Sequence, residues 1–206
     1  TRGECSISNL APYVTSKFSR FIQDRILRCV VGHGDMRLDF EQILNNRKVL
    51  ILKLGRGRFG IKTAELLLGL LLSRFRAAVM SRADIPKPDR PPFYLYVDEL
   101  GSLARDENFV QLLSEARKYR VSLTMATQYA SQLGGDDGPR NVLSAVLGNV
   151  GTVICFRVGV EDAPRLAPVF EPVITAQDLA EVPNFQGYMR FHLDGGIVRP
   201  FSFETA

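Results

Sequence analysis

Apolar residues along the chain form two kinds of pattern, which predict strands and helices in alternation. Four largely apolar segments predict strands: KVLILKL (48–54), FYLYV (93–97), VSLTMAT (121–127) and GTVICFRV (151–158). The first two are typical of buried strands. Helical spacing predicts helices over 9–31, from Lys62 to about Arg82 and over 107–120, with short helices at 161–170 and 175–182. This alternation predicts an α/β fold with a three-layer, mostly parallel sheet.

Turn-forming residues mark the ends of these elements. The proline-rich loop DIPKPDRPP (84–92) ends the long helix. Near the C-terminus, GYMRFHLDGGIVRPFSF (187–203) has two apolar segments on either side of Asp194-Gly195-Gly196, which predicts a β-hairpin. The length suits one α/β domain, alone or with a small appendage.

Composition and charge narrow the range of functions only a little. The 206 residues are 46% hydrophobic and 23% charged, as in ordinary soluble proteins, and the net charge is +4. This charge permits nucleic-acid binding without demonstrating it, because charge points to a partner only where it is clustered. The three cysteines are far apart and there are only two histidines, which argues against zinc and for a reducing, cytoplasmic compartment.

The most apolar stretch and the start of the chain bear on its location. LLLGLLL (66–72) is bounded by Glu65 and Arg74 and is too short to span a bilayer. No signal peptide opens the chain, which begins at Thr1 without a methionine. We therefore expect a piece of a longer protein, in which any membrane anchor would precede Thr1.

Two adjacent carboxylates, Asp98 and Glu99, end the predicted strand FYLYV. Open α/β sheets bind ligands at this edge, beyond the carboxyl ends of the strands. Two acids there are costly to desolvate unless they bind a cation or transfer a proton. In a nucleotide-hydrolysing site the first acid holds Mg²⁺ on the phosphates and the second activates the attacking water. The alternative is a strand end with two solvated acids.

Two further features fit such a site. Gln128 follows the next strand at the same predicted edge, where it would orient the attacking water or sense the γ-phosphate. Its alternative is a glutamine at a helix start with no role. Arg117, Lys118 and Arg120 cluster on the connecting helix. Such a run is usually a solvated face; otherwise, an arginine there would contact a neighbouring subunit's phosphates.

The stretch LGRGRFGIKTAELL (54–67) nearly matches a phosphate-binding loop. Gly55 and Gly60 fit the pattern G-x-x-x-x-G-K-[ST], but Ile61 separates the second glycine from Lys62 and Thr63. These residues alone leave open whether the stretch is an unusual nucleotide loop or a coincidental match.

Four stretches, in order, make the sequence similar to a known family: FYLYVDELGSLA, LLSEARKYRVSLTMATQYASQL, LGNVGTVICFRVGVEDA and GYMRFHLDGGIVRPFSF. They resemble the C-terminal half of the motor domain of HerA/FtsK-superfamily ATPases, notably type IV secretion and conjugation coupling proteins and HerA-like helicases. The resemblance covers roughly residues 15–203. It implies a RecA-like fold, a hexameric ring, ATP-driven movement of DNA through its pore, and secretion or conjugation machinery as a further partner.

The resemblance also implies roles for single residues. The family's magnesium-binding acid corresponds to Asp98, its catalytic glutamate to Glu99 and its phosphate-sensing glutamine to Gln128. ATP and Mg²⁺ are the implied cofactors. The arginine that acts in trans corresponds to Arg117, with Arg157 as a second candidate.

The near match at 54–67 has an explanation in the same resemblance. In the family a strand followed by L-x-x-G-x-x-G comes after the nucleotide loop, near the point where an inserted helical segment rejoins the core. The stretch KLGRGRFG (53–60) matches that turn. Its glycines would then permit a tight turn, the next helix would open directly after it, and the phosphate loop itself would lie upstream of this chain.

This explanation carries a domain division with it. We predict a helical segment at 1–46, part of the inserted all-α region, and the C-terminal part of a RecA-like core at 47–206. Arg56 and Arg58 would contact DNA or a neighbouring subunit, or else be solvated.

Two other functions stay open on the sequence alone. Without a phosphate loop only half a nucleotide site is present, so the chain could be a non-hydrolysing assembly or DNA-binding module on the same fold. A function from another class is an unrelated metal-dependent α/β hydrolase that uses Asp98 and Glu99.

We predict that these 206 residues by themselves do not turn over ATP. Backbone N–H groups and a loop lysine supply most of the binding to the β- and γ-phosphates, and Asp98 with Mg²⁺ does not replace them. Phosphate release by the pure chain is the measurement. Sustained release that Glu99→Gln abolishes would contradict the prediction and make 54–67 a working nucleotide loop.

Overall fold

The structure is a computed structural model that describes residues 23–32, 38–104, 106–134 and 142–205, together with positions 12, 15 and 19. The chain divides into two compact units, Thr1–Ala78 and Val79–Ala206. Most of the helix predicted over 9–31, with its apolar positions Val14, Phe18, Phe21 and Ile22, lies outside the described residues.

The regular elements in the described part of the first unit are helices. It contains α1 (Arg25–Gly32), α2 (Phe40–Asn45), α3 (Arg56–Phe59) and α4 (Ile61–Ser81), and the end of α4 belongs to the second unit. Asp39 begins α2, because its carboxylate accepts the backbone N–H of Gln42 at 3.0 Å. The helices α2 and α4 meet where the rings of Phe40 and Phe75 pack edge to face, with centroids 5.7 Å apart. The predicted long helix is confirmed, whereas α2 was not predicted.

The strand predicted at 48–54 is absent, and that prediction is wrong. Residues 48–55 form neither helix nor strand, and Val49 and Ile51 are 88% and 86% exposed. A strand exists only where a neighbour supplies backbone hydrogen bonds, and no described segment pairs with this one. The apolar run correctly indicated residues suited to burial, but such a run does not specify a pairing partner.

The second unit alternates strands and helices along the chain. Its strands are β1 (Phe93–Val97), β2 (Val121–Met125), β3 (Thr152–Cys155), β4 (Gln186–Leu193), β5 (Gly196–Ile197) and β6 (Phe201–Glu204). Its helices are α5 (Glu107–Glu115), α6 (Val142–Asn149), α7 (Ala163–Phe170) and α8 (Ala176–Ala180). Short 3-10 helices at Leu100–Ser102, Ala116–Tyr119 and Ala130–Leu133 join several of them. The sequence predicted β1, β2, β3, α5, α7 and α8, but not α6.

The strands β1 and β2 form a parallel pair, in register over five residue pairs. A parallel direction requires a crossover connection, which α5 helps to form. Phe109 and Leu112 of α5 are fully buried. One face of the pair is open, because Tyr94 and Tyr96 are 61% and 72% exposed. Both strands end at the same edge of the sheet, and the loops that follow them therefore start side by side.

The other described strands pair antiparallel, so a mostly parallel sheet is not what these residues form. β4 lies between β3 on one side and β5 and β6 on the other. The predicted hairpin is confirmed: Asp194 and Gly195 have φ angles of 49° and 82° and reverse the chain between β4 and β5. The connection from β4 to β6 is too short to cross over, which also forces antiparallel pairing.

Helices α7 and α8 pack with this second sheet around the fully buried ring of Phe170. Burial raises the pKa of the Cys155 thiol in this core to about 11, so it stays protonated near neutral pH. The helix α8 lies within the segment predicted at 175–182, and Thr175 is its N-cap, in a capping box with Asp178. Within the described parts of the chain, no helix has both the length and the apolar character needed to cross a bilayer.

Candidate functional site

Backbone hydrogen bonds hold the carboxyl ends of β1 and β2 side by side. The N–H of Ala126 donates to the carbonyl of Val97 at 2.9 Å, and the N–H of Leu100 donates to the carbonyl of Ala126 at 2.8 Å. The chain after β1 therefore remains bonded to the chain after β2 before it turns away. The two adjacent carboxylates and the glutamine singled out in the sequence consequently share one edge of the parallel pair.

Glu99 has a backbone conformation that is rare for a residue with a side chain. Its φ of 64° and ψ of 66° are left-handed, which costs a non-glycine residue on the order of 1–3 kcal/mol. Ser102 holds the turn, because its hydroxyl donates to the Glu99 carbonyl at 2.9 Å. Strain of this kind concentrates at functional sites, where surrounding contacts maintain it. The left-handed turn fixes the direction in which the Glu99 side chain leaves the backbone.

The three side chains at this edge are accessible to a ligand, since Asp98 and Gln128 are exposed and Glu99 is half-buried. Mg²⁺ is usually bound through one or two carboxylates together with waters and substrate phosphates. The described residues contain no group of three or more histidine, cysteine, aspartate or glutamate side chains that could hold a metal ion. Two adjacent, accessible carboxylates therefore fit a magnesium ion that arrives with a phosphorylated substrate better than one caged by protein alone.

Contacts behind this edge join the loops that carry it. The Gln132 side chain lies against Gly101, where an added Cβ would overlap the Gln132 carboxamide. Asp162 is only 5% exposed and accepts hydrogen bonds from the N–H groups of Ala130 and Ser131, each at 2.9 Å. These contacts were not predicted from the sequence. In sequence, Asp162 resembles an ordinary helix N-cap, and that signal points to its own helix rather than to a distant loop.

Arg117 lies at the opposite end of the parallel pair. It is exposed, in the 3-10 helix Ala116–Tyr119 that leads into the start of β2. The five-residue strands separate the two ends by about 16 Å. Buried Arg82 holds this corner by donating to the Tyr119 carbonyl at 2.9 Å. Within one chain, Arg117 is therefore not brought to the carboxylates.

The other arginine candidates occupy different places. Arg157 is exposed and directly precedes the segment in which Asp162 contacts the loop after Gln128. Arg58 is exposed in α3, and the side chain of Arg56 is outside the described structure. Of these three, Arg157 is nearest in sequence to Asp162, which bonds the glutamine loop.

The near match to a phosphate loop forms the start of a helix. Gly60 has a φ of 73°, the left-handed value that favours glycine, and α4 begins at the next residue. The Thr63 hydroxyl donates to the Asp24 carboxylate at 2.7 Å. The other oxygen of that carboxylate accepts the N–H groups of Ile26 and Leu27 in α1. The Thr63 hydroxyl thus joins two helix starts in this structure.

The part of the sequence that contains this sheet edge matches the model of a known family. Over residues 92–166, about a third of the chain, the sequence matches the model of a family described as the TraM recognition site of TraD and TraG. The matched range contains both carboxylates, the glutamine and both arginine candidates at 117 and 157. None of the curated proteins matches the sequence significantly.

Solved structures with a similar fold are of the bacterial conjugative coupling protein TrwB. For its complex with ADP and Mg²⁺ the TM-score is 0.70 at 16% identity, over 97% of this chain and 50% of that one. For the complex with ADPNP the TM-score is 0.65 at 15% identity, over 98% and 52%. For the trigonal form with sulphate it is 0.67 at 16% identity, over 93% and 49%.

At these identities the likeness establishes the fold alone. It confirms an α/β fold and a chain that is similar to part of a conjugative coupling protein. The chain spans about half the length of these TrwB chains. The predicted three-layer arrangement and the predicted division at residue 46 stay predictions.

The bond between Thr63 and Asp24 predicts a pH-dependent stability. The Thr63 hydroxyl, followed by the backbone N–H of Leu27, lowers the pKa of Asp24 from its ordinary value of 3.8. A carboxyl with a lowered folded-state pKa stabilises the fold above its unfolded-state pKa, and this contribution is lost as pH falls through the folded-state value. We therefore expect Thr63→Val to lower the urea midpoint at neutral pH, and the difference from wild type to shrink below about pH 4.

The matched control is Thr63→Ser, which keeps the hydroxyl and should unfold near the wild-type midpoint. Equal midpoints for the valine variant and wild type at neutral pH would show that the hydrogen bond contributes nothing.

Proposed function

We propose that this chain is the C-terminal part of the motor of a ring-forming, ATP-dependent DNA translocase of the coupling-protein kind. The observation that carries the proposal is the sheet edge itself. A strained, half-buried Glu99 follows an exposed Asp98 at the carboxyl end of a parallel strand, and the glutamine loop is bonded beside them. The likeness to TrwB, solved with ADPNP and with ADP and Mg²⁺, supports a nucleotide as the ligand of this edge.

In this proposal the two carboxylates have different tasks. Exposed Asp98 would hold Mg²⁺ on the phosphates, mostly through water, because a carboxylate open to solvent can share the ion with waters and phosphate oxygens. The ion, when bound, neutralises charge on the phosphates. Half-buried Glu99 would accept a proton from the attacking water, and its left-handed backbone would aim it.

Gln128 would orient that water or sense the γ-phosphate. Its position supports this role, because the residues just before it are bonded to the carboxylate segment through Ala126. A neutral amide suits the task, since it donates and accepts hydrogen bonds without changing the charge of the site.

A guanidinium that reaches the phosphates would come from another subunit. Arg117 is exposed and far from its own carboxylate edge, so in a ring it would face the neighbour's nucleotide rather than its own. Arg157 is the second candidate, on the segment that leads to Asp162. A planar fork of N–H donors suits a transferring phosphoryl group, and lysine would not replace it well.

The proposed partners follow from the same class. A hexameric ring would surround DNA, with Arg56 and Arg58 as candidate contacts to DNA or to a neighbouring subunit. Secretion or conjugation machinery would be the external partner, and the chain would work in the cytoplasm. One chain with a net charge of +4 offers few phosphate contacts, so tight DNA binding would depend on assembly.

A second candidate is a recognition or assembly module that does not hydrolyse ATP. The match to a family described as a TraM recognition site favours it, because that range holds the whole carboxylate edge. The Thr63–Asp24 bond agrees with it too, since the stretch nearest to a phosphate loop has a structural task. Whether the protein that contains this chain hydrolyses ATP decides between the two candidate functions.

We predict that Glu99→Gln in that protein keeps ATP binding and loses hydrolysis. The substitution preserves shape and removes the base, an effect on the order of 10²–10⁴ in rate. Asp98→Asn should instead weaken Mg²⁺-dependent nucleotide binding. ATP hydrolysis and titration of a fluorescent nucleotide, with and without Mg²⁺, separate the two effects.

Glu41→Gln, an exposed acid on α2, is the control and should change neither quantity. Hydrolysis by Glu99→Gln at the wild-type rate would refute the role assigned to Glu99. Metal-dependent hydrolysis of a substrate other than a nucleotide would favour the unrelated hydrolase.

We predict that Arg117 acts across a subunit interface. Loss of such an arginine costs roughly 10³–10⁵ in rate, so Arg117→Ala and Glu99→Gln should each be inactive alone. Mixed rings contain interfaces with an intact Glu99 on one side and an intact Arg117 on the other, so mixing should restore part of the ATPase rate.

Mixed rings are verified by pulling down one variant through a tag on the other. The role would move from Arg117 to Arg157 if mixed rings form without recovering activity. Full activity of Arg117→Ala alone would have the same consequence.

A further inference from the structure

The carboxylate of Asp162 is bonded to a segment far from it in sequence. Asp162 stands at the N-terminus of α7, yet its side chain makes no capping bond to that helix. One oxygen accepts the N–H of Ala130 and the other accepts the N–H of Ser131. A buried carboxylate is unfavourable without such partners, and hydrogen bonds to an ionised acceptor are among the stronger ones.

Both sides of this contact are held by further bonds. The carbonyl of Asp162 accepts the N–H groups of Arg165 and Leu166, at 3.1 and 3.2 Å, so the first turn of α7 holds its backbone. On the other side, Ala130 and Ser131 start a short 3-10 helix two residues beyond Gln128. The carboxylate thus satisfies N–H groups that have no partner inside the helix they begin.

The contact continues to the carboxylate edge. Gln132, in the same 3-10 helix, lies against Gly101, and Gly101 is in the turn that follows Glu99. A Cβ added at Gly101 would overlap the Gln132 carboxamide, so the two residues are in close contact. A displacement of residues 130–133 would therefore change the positions of both Gln128 and the turn after Glu99.

We propose that Asp162 is a positioning residue, which keeps the glutamine loop, the Glu99 turn and the segment after Arg157 in fixed relative places. The inference rests on the proposed nucleotide site for its effect on activity. Asp162 touches neither the nucleotide nor the reacting water, and it acts through Gln128. Its two hydrogen bonds connect the start of α7, which follows β3, with the 3-10 helix that follows β2. The strands β2 and β3 do not pair with each other in the described structure.

The first test measures the contact itself, whatever the function. Asparagine at this position keeps the shape but turns an N–H₂ group toward one of the two donors, so Asp162→Asn should lose at least one bond. We expect amide hydrogen exchange in residues 126–133 of the full protein to accelerate about tenfold or more. Glu161→Gln, its exposed neighbour, should exchange like wild type. Unchanged exchange in Asp162→Asn would overturn the proposal.

The second test separates positioning from general stability. We expect Asp162→Asn to lower kcat by up to ~10²-fold, as small misplacements of catalytic groups do, while KM for ATP and the melting temperature change little. In a Gln128→Ala background the same substitution should have almost no further effect on kcat, because both changes disable one group. Additive losses would overturn the role through Gln128.

The two tests also separate this proposal from the proposed function. A wild-type protein that binds no nucleotide and hydrolyses none would refute the proposed function, and the exchange measurement would still decide on the contact. Suppose that the wild-type protein is active and that Asp162→Asn shows faster exchange but an unchanged kcat. The proposed function would then hold, and the positioning role would be overturned.

Discussion

The candidate site depends on the parallel pairing of β1 with β2. This pairing places two strand ends at one edge, although the residues that follow them are separated in sequence by a helix and two loops. The ladder continues beyond the strands, because the N–H of Leu100 reaches the carbonyl of Ala126. The residue between β1 and Leu100 that must allow this reach is Glu99, and its left-handed backbone accompanies that bond. The strain at Glu99 and its place beside the glutamine loop thus go together.

Charged side chains are used in two opposite ways around this strand pair. At the carboxylate edge, the buried carboxylate of Asp162 accepts N–H groups at the start of a 3-10 helix. At the other end, guanidinium groups donate to carbonyls near the end of a 3-10 helix: Arg82 to Tyr119 and Arg90 to Lys118. Each charge meets backbone groups that a helix terminus leaves without partners. Part of the basic cluster is therefore structural, since Arg120 also donates to the Arg90 carbonyl at 2.8 Å, and Arg117 is left exposed.

Apolar surface is distributed unevenly over the described residues. The second sheet and its helices enclose Phe170 and its neighbours, whereas Tyr94 and Tyr96 on β1 are open to solvent. Parallel sheets are normally covered on both faces, so an open parallel pair is unusual for this class of fold. The apolar segment at 48–54 is likewise exposed and unpaired. Both features occur in a chain that spans about half of the TrwB chains whose fold it shares.

The sequence by itself determined the features that depend on local chemistry. Apolar spacing identified α4, α5, α8 and the paired strands, and the Asp194-Gly195 turn identified the hairpin. Carboxylates directly after an apolar strand identified the sheet edge.

Tertiary structure decided the rest. It left residues 48–54 without a pairing strand, because pairing depends on a neighbouring strand that the local sequence does not specify. It set the antiparallel partners of β4, and it built α6 from VLSAVLGN, whose mostly apolar residues show no clear helical period. It also directed Asp162 to a distant loop, because a carboxylate bonds whichever N–H groups the fold brings within reach.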